Sequence, residues 1–289
     1  MVEAGSDVTF LVRPKRAQQL QNGLRIESPH GDAVIPVKTI IGGDAAEDDF
    51  DVLILSCKAY GLVGALDAIA PYVQKGMCIV PLLNGLSHID ITQQRFPEAV
   101  ICGGTAGIAA TLTADGVVRQ MHPNQTITAG LLPGQTDPNG FLRVLVGEMQ
   151  RASIDAVLSD DILQMMWDKW AFLATLAAST CLMRGTVADI LATDHGENFM
   201  TNLYDECNRT ATAEGYPPSQ FPVEDYRGRL FDRNFQVTAS MARDIEAGGP
   251  TEADHIIGEM IRLATKHKLN TPCLKIAGSM LQIYETNRD

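Results

Sequence analysis

The sequence lacks the residue spacings of metal sites and of disulfide frameworks. Six cysteines and six histidines are dispersed over 289 residues, with no CxxC pair and no two histidines one helical turn apart. Dispersed cysteines without such spacing are typical of reduced, buried thiols in a cytosolic protein. We therefore expect no metal site and a cytoplasmic location.

Long apolar runs and positive charge are also scarce. The longest weakly polar run, residues 171–183, is too short to cross a bilayer, and no basic, apolar secretory leader opens the chain. Lys and Arg number 23 against 35 Asp and Glu, which gives a formal charge of −12. This charge repels nucleic acid and anionic membranes, so we expect neither as a partner.

The order of apolar segments predicts a two-part α/β protein. In the first half, short β-branched runs such as residues 51–57 and 77–83 alternate with helical stretches. Near-continuous apolar strands favour a Rossmann-like, doubly wound, mostly parallel sheet. From residue 160 the apolar spacing becomes helical. We predict a Rossmann-like domain over residues 1–153 and an all-helical domain over 154–289, with helices near 160–183, 195–214, 251–266 and 274–285.

Turn residues predict two antiparallel pairings in the first half. Residues 24–28 and 33–41 should form a hairpin around Pro29-His-Gly-Asp32. Residues 105–130 should form another antiparallel region, with turns at Asp115-Gly116 and Pro123-Asn124.

Lys169 is the first candidate for chemistry, because it lies in an otherwise apolar helical run beside Trp167, Trp170 and Phe172. An ammonium in such surroundings is costly to bury unless a carboxylate meets it or a substrate needs it. The alternative is a lysine whose stem coats the core while its head reaches water. The residues alone leave both interpretations open.

Four other polar residues accompany Lys169 in chain order. Lys58 and Asn84 follow apolar strands, at the sheet edge where doubly wound folds bind ligands. Taken singly, Lys58 is equally well a helix-start cation, and Asn84 with Gly85 a turn. Ser240 alone is most simply a cap or turn residue, and Glu252 an acid favoured by the helix dipole.

Four ordered motifs resemble those of the ketopantoate reductase family, over essentially the whole chain. They are Ser56-Cys57-Lys58, Leu82-Leu83-Asn84-Gly85-Leu86, Met166-Trp167-Asp168-Lys169 and the segment from Ser240 to Glu252. The resemblance implies NADPH-dependent reduction of 2-dehydropantoate, or of a related 2-keto acid, in pantothenate biosynthesis.

The resemblance also implies a role for each of these residues. Lys169 would donate the proton, Glu252 would hold the Lys169 ammonium in place, and both Glu252 and Ser240 would contact the substrate. Asn84 would hydrogen-bond the nicotinamide ribose or the substrate and so fix the geometry of hydride transfer. Lys58 would lie near the cofactor and the active site.

Arg13 suggests which cofactor is used. It ends the strand at residues 8–12 and, with Lys15 and Arg16, puts three cations into four positions. At this place in a dinucleotide fold, an acid favours a free 2′-hydroxyl and an arginine accommodates a 2′-phosphate. A solvated helix start explains these residues equally well, but together with the resemblance the position favours NADP over NAD.

The chain departs from the family pattern at its beginning. No strand with a Gly-x-Gly-x-x-Gly turn precedes Val8, and that turn would hold the cofactor pyrophosphate. The spacing of Gly103-Gly104-Thr-Ala-Gly107 does not replace it, and we expect close packing or a turn there. Two alternatives to an active reductase follow: an impaired paralogue serving as a binding or assembly subunit, or a truncated version of an active enzyme.

A second departure concerns the substrate. Leu173 and Ala177 stand four and eight residues after Lys169, where many members carry asparagines that bind the hydroxy acid. The predicted pocket is therefore less polar, and a related 2-keto acid enters consideration. The sequence leaves the oligomeric state open, and a homodimer is one of the possible states.

Overall fold

The structure, a computed structural model, describes residues 1–45 and 49–288 and divides into two compact units. The first, here called the sheet unit, comprises Met1–Cys57, Gly61–Leu83 and Ile89–Ile162. The second, the helical unit, comprises Lys58–Tyr60, Asn84–His88 and Leu163–Asp289. The predicted fold class, a mixed α/β sheet followed by helices, is confirmed. The absence of a first strand stays a prediction.

Nine strands occur in the described part of the sheet unit: β1 Thr9–Val12, β2 Leu24–Glu27, β3 Ala33–Ile35, β4 Lys38–Ile41, β5 Val52–Leu55, β6 Cys78–Pro81, β7 Val100–Leu112, β8 Val118–Leu131 and β9 Asp155–Leu158. Six of them follow the order β3-β2-β8-β7-β6-β5, and β9 pairs with β8. β5, β6 and β7 are parallel neighbours, whereas β7 and β8 are antiparallel. β1 and β4 form a separate parallel pair.

The helices of the sheet unit are α1 Pro14–Leu20, α2 Leu62–Ile69, α3 Ser87–Arg95, whose first two residues belong to the helical unit, and α4 Phe141–Arg151. α4 packs on the sheet with Leu142, Leu145, Val146 and Met149, all buried in one apolar cluster with residues of β6, β7 and β8. Cys78, Val80 and Cys102 lie in that cluster. The cluster accounts for the apolar character of these strands.

The predicted hairpin is only partly correct. β2 pairs antiparallel with β3, but the residues after β3 turn away, and β4 pairs in parallel with β1, Thr9 opposite Lys38. Pro36 lies between β3 and β4. Since proline has no N–H to donate to a ladder, a continuous strand from 33 to 41 is disfavoured there.

Of the two turns predicted in the β7–β8 region, one is present and the other is not. The turn at Asp115-Gly116 is confirmed, and Gly116 has the positive φ of 86° that such a turn uses. The turn at Pro123-Asn124 is wrong, because both residues lie within β8. Opposite β7, the register jumps from Gln125 to Gln120, so the intervening residues form a bulge, a position that tolerates proline.

The glycines at 103–107 lie inside β7, where close packing explains the first part of the run. A Cβ on Gly104 would lie 2.6 Å from the carbonyl oxygen of Pro81 and 2.9 Å from Cδ2 of Leu82. Atoms cannot approach this closely, so β6 and β7 require glycine at this point. The predicted close packing is confirmed.

Gly104→Ala should therefore destabilise the sheet unit by about 1–3 kcal/mol, the usual cost of overpacking a filled core. Gly107→Ala is the matched control, since its Cβ would meet Thr126 at 3.6 Å, an ordinary contact. Urea denaturation of both variants measures the difference. Equal midpoints for the two variants would contradict the packing argument.

The division between the units differs from the predicted boundary at residue 153. β9 pairs in parallel with β8, Thr126 opposite Asp155, and this pairing keeps β9 in the sheet unit. The sheet unit therefore extends to Ile162. The helical unit in turn includes two short segments from the first half of the chain, Lys58–Tyr60 and Asn84–His88.

The helical unit consists of α5 Ile162–Met183, whose first residue belongs to the sheet unit, α6 Val187–Leu191, α7 Gly196–Ala213, α8 Gln220–Leu230, α9 Ser240–Glu246, a π-helical turn at Asp254–Gly258, α10 Glu259–Lys266 and α11 Pro272–Asn287. The predicted long helix from residue 160 corresponds to α5, and the helix over 251–266 begins with the π turn. The core of the helical unit includes Trp170, Met200, Leu203, Leu230, Ile257 and Met260. Among the described residues no helix is both long and apolar enough to cross a membrane.

Candidate active site

Lys169 lies in α5 among large apolar side chains. Trp167 and Trp170 are 5% and 1% exposed, and the indole N–H of Trp170 donates to the carbonyl oxygen of Ile256 at 3.0 Å. Burial lowers the pKa of Lys169 to about 8, although the charge of Glu252 acts in the opposite direction. A lysine in this state is protonated at neutral pH and still able to release its proton.

Glu252 is buried just before the π-helical turn. Its Oε1 accepts a hydrogen bond from the backbone N–H of Ala59 at 3.0 Å, and its Oε2 lies 3.3 Å from Nζ of Lys58. The predicted partner of Glu252 was Lys169, and its charge does raise the Lys169 pKa. Glu252 therefore acts on two lysines, with direct hydrogen bonds to the segment that carries Lys58.

Lys58 bridges two carboxylates. Its Nζ lies 3.3 Å from Oδ2 of Asp244 and 3.3 Å from Oε2 of Glu252. Partial burial alone would lower its pKa, but the charges of Glu252 and Asp244 raise it above the ordinary value. Lys58 is thus a permanent cation that neutralises Glu252. Its contact with the cofactor stays a prediction, and Asp244 is a partner that the sequence analysis did not find.

Asn84 follows β6 in the segment that joins the helical unit. The next residue, Gly85, is buried with a positive φ of 78°. A Cβ there would lie 3.0 Å from Cδ2 of His255, so the backbone at Asn84-Gly85 packs closely on that ring. The predicted turn is therefore buried and closely packed, which fixes the position of the backbone that carries the Asn84 side chain.

Two histidines belong to the same cluster, and sequence reasoning missed both. Burial lowers the pKa of His88 to about 3, with smaller contributions from His255 and Lys169. The rings of His88 and His255 lie 5.7 Å apart between centroids. His88 is thus a neutral side chain close enough to Lys169 to respond to its charge. No local pattern marks either histidine, because their contact joins positions 88 and 255.

Ser240 is the exposed first residue of α9. The preceding N–H, of Ala239, donates to Oγ1 of Thr180 on α5 at 3.1 Å. This bond fixes the start of α9 to the helix that carries Lys169. The predicted substrate contact of Ser240 stays a prediction.

Arg13 lies in the sheet unit, at the carboxyl end of β1. It is exposed and precedes α1 directly, and Lys15, the second residue of α1, is exposed as well. Arg16, in contrast, donates to the carbonyl oxygen of Gly116 at 2.8 Å. Arg13 and Lys15 are therefore the cations of this group that face solvent and could meet a phosphate.

Two cavities of the helical unit are lined by other residues than these. One, of about 390 Å³, is lined by residues of α7 and the start of α11, and another, of about 210 Å³, by residues of α7 and α8. Within the described ranges, no group of three or more His, Cys, Asp or Glu side chains is arranged to hold a metal ion. The candidate site is therefore the cluster around Lys169 and Glu252.

Comparison with known proteins identifies the family. The family model described as "Ketopantoate reductase PanE/ApbA" matches residues 1–134, and the model of its C-terminal part matches residues 161–285. The chain is 30% identical over 287 residues, 99% of its length and 93% of the relative, to "Uncharacterized oxidoreductase YkpB" of Bacillus subtilis strain 168.

Solved structures show the same fold. The 2-dehydropantoate 2-reductase of Methylococcus capsulatus superposes with a TM-score of 0.87 at 23% identity, over 100% of this chain and 92% of that one. A D-mandelate dehydrogenase with NADH and anilino(oxo)acetate gives 0.86 at 20% identity, over 99% and 93%. The matches of both family models and the relative at 30% identity establish that this chain belongs to the ketopantoate reductase family of oxidoreductases.

Proposed function

We propose that this protein uses NADPH to reduce a 2-keto acid to the 2-hydroxy acid. The proposed substrate is 2-dehydropantoate or a related 2-keto acid, which would place the reaction in pantothenate biosynthesis. The observation that carries the proposal is Lys169, a half-buried lysine among apolar side chains, whose desolvation lowers its pKa to about 8 against the opposing charge of Glu252. The family supports the reaction class, because it includes relatives named 2-dehydropantoate 2-reductase.

The residues of the cluster divide the work of such a reduction. NADPH supplies a hydride to the carbonyl carbon when it is bound. Negative charge then develops on the carbonyl oxygen, and Lys169 stabilises this charge and donates the proton that converts the oxygen to a hydroxyl. Glu252 favours the charged form of Lys169, so that the proton is in place at the start of each turnover.

Asn84 and Ser240 are proposed to orient the reactants. An amide can donate to and accept from the ribose or the substrate, and a hydroxyl can bind a polar group of the acid. Leu173 is half-buried and Ala177 is buried, so neither supplies the hydrogen bonds that asparagines would. This lower polarity is the reason to extend the proposal beyond 2-dehydropantoate.

An assay of nicotinamide oxidation tests the proposal directly. NADPH is mixed with 2-dehydropantoate, and then with branched and aromatic 2-keto acids. Turnover should appear as a fall in absorbance at 340 nm, the ordinary signal of the reduced nicotinamide. Formation of the matching 2-hydroxy acid should equal NADPH consumed. A folded protein that oxidises neither NADPH nor NADH with any of these acids would instead support the alternative of a binding or assembly subunit.

The cofactor preference is tested at Arg13. Arg13→Ala should weaken NADPH binding by about 10- to 100-fold, since hydrogen bonds to charged groups contribute about 1.5–3 kcal/mol. NADH affinity should change by no more than about twofold, because NADH carries no 2′-phosphate. Arg143→Ala, an exposed arginine on α4, is the control for net charge. Calorimetry with both cofactors measures the effect, and equal losses for the two would refute it.

A further inference from the structure

Three of the five residues in Asn84–His88 meet one side chain, His255. The hydroxyl of Ser87 lies 2.9 Å from Nδ1 of His255, within hydrogen-bond distance. The backbone at Gly85 lies so close that a Cβ there would be 3.0 Å from Cδ2 and 3.3 Å from the carbonyl oxygen of His255. The His88 ring is 5.7 Å from the His255 ring. We call Asn84–His88 the asparagine segment.

The position of His255 connects this segment to the two residues proposed for chemistry. His255 lies in the π-helical turn Asp254–Gly258, three residues after Glu252. The next residue, Ile256, accepts the hydrogen bond of Trp170, the neighbour of Lys169 in α5. Single π turns occur mostly as local insertions in helices and are frequent at functional sites.

We infer that His255 is a positioning residue, which holds the asparagine segment against the π-helical turn so that Asn84, Glu252 and Lys169 keep one arrangement. His255 acts through Asn84 and does not itself touch the reacting atoms. Its effect on turnover rests on the proposed reductase function. The attachment of the segment is a property of the folded chain alone, and it can be measured without substrate.

The chemistry of an imidazole suits this task. Burial lowers the pKa of His255, which keeps the ring uncharged at neutral pH. A neutral imidazole offers one donor and one acceptor, so it can share a hydrogen bond with the Ser87 hydroxyl. Its flat ring also fits beneath a glycine, whereas any larger residue at position 85 would collide with it.

Two variants of His255 separate the hydrogen bond from simple filling of space. His255→Asn keeps a polar atom near the position of Nδ1, and His255→Leu keeps bulk without it. Hydrogen exchange at the amides of residues 84–88 should be about 3- to 10-fold faster in His255→Leu, as expected for the loss of one hydrogen bond. His255→Asn should stay near the wild type.

His267→Leu is the matched control, because His267 belongs to the same unit and pairs with Glu214 instead. It should leave exchange in the asparagine segment unchanged. If His255→Leu does not fold, Ser87→Ala removes the same hydrogen bond from the other side with a smaller change. Unaltered exchange in the segment of the folded variant would overturn the inference.

Kinetics with NADPH and 2-dehydropantoate as the probe then test the positioning role. In His255→Leu, kcat should fall by about 10- to 100-fold, because a displacement of about 1 Å can cost about 100-fold. His255→Asn should restore most of kcat, a rescue that general destabilisation does not predict. Faster exchange with unchanged kcat and KM would overturn the role in catalysis. A wild type inactive with every 2-keto acid would refute the proposed function, while the exchange experiment still decides the attachment.

Discussion

Lys169→Ala is expected to lower kcat by about 100- to 10,000-fold, the range for loss of a general acid. NADPH affinity should change by no more than about twofold, because the interaction of Lys169 belongs to the transition state. Stopped-flow turnover and calorimetric titration of the same preparation measure the two quantities. Lys275→Ala, at an exposed position of α11, is the control and should retain full activity.

The pH dependence gives the same prediction a second test. Lys169 must be protonated to donate, so kcat should fall as pH rises through its pKa of about 8. Lys169→Arg keeps the positive charge but binds its proton far more tightly, and it should be nearly as inactive as the alanine variant.

A structural lysine behaves differently in these experiments. Its removal would lower the melting temperature and leave the rate per folded molecule intact.

Because burial lowers the Lys169 pKa, the unfolded chain binds this proton more tightly than the folded one, and stability should rise between about pH 8 and the ordinary lysine value of 10.5. Loss of that rise in Lys169→Ala shows that the assigned group is the one titrating.

Glu252→Gln is the second large change. Its charge raises the Lys169 pKa, so the variant should shift the alkaline limb of the kcat profile to below about pH 8. At pH 8 the rate should fall by about 10- to 100-fold, within the range for impaired acid catalysis. The Michaelis constant of the substrate should rise as well, because the carboxylate is proposed to meet the substrate.

The neighbouring acids provide the controls for Glu252. Asp244→Asn removes the other carboxylate of Lys58, and Glu259→Gln removes an acid bound to Arg262. Neither should move the alkaline limb as far as Glu252→Gln does. When Glu252→Gln is combined with Lys169→Ala, the losses of kcat should be less than additive, as for residues that act as a unit. An unshifted pH profile in Glu252→Gln would remove Glu252 from the mechanism.

The parts of the fold that could be predicted are those with long, regular patterns. β5, β6 and the 22-residue α5 follow directly from their apolar spacing. α6 and α9, of 5 and 7 residues, are too short to establish a helical period, although Thr186 and Asp189 form a capping box at α6 that local sequence already encodes. Strand pairing was the least predictable feature, since β4 pairs with β1 instead of extending the hairpin of β2 and β3.

The site shows the same division. Lys169, Glu252, Lys58 and Asn84 could be proposed as site residues from their motifs, each of which is local, and their roles stay predictions. Asp244 and His255 were not, because their partners are distant along the chain: 186 residues separate Lys58 from Asp244, and 168 separate Ser87 from His255. No local pattern encodes contacts of that range.

The long reach of Glu252 also has a consequence for how the protein is made. Its carboxylate is buried through bonds to Ala59 and Lys58, 193 and 194 residues earlier. Contacts this far apart form late, because a large chain loop must close first. On the ribosome, the segment 58–60 therefore waits until residue 252 has emerged, and the helical unit cannot complete itself during synthesis of the first half. Slow translation near the end of the message would prolong the time for which Lys58 and the asparagine segment lack these partners.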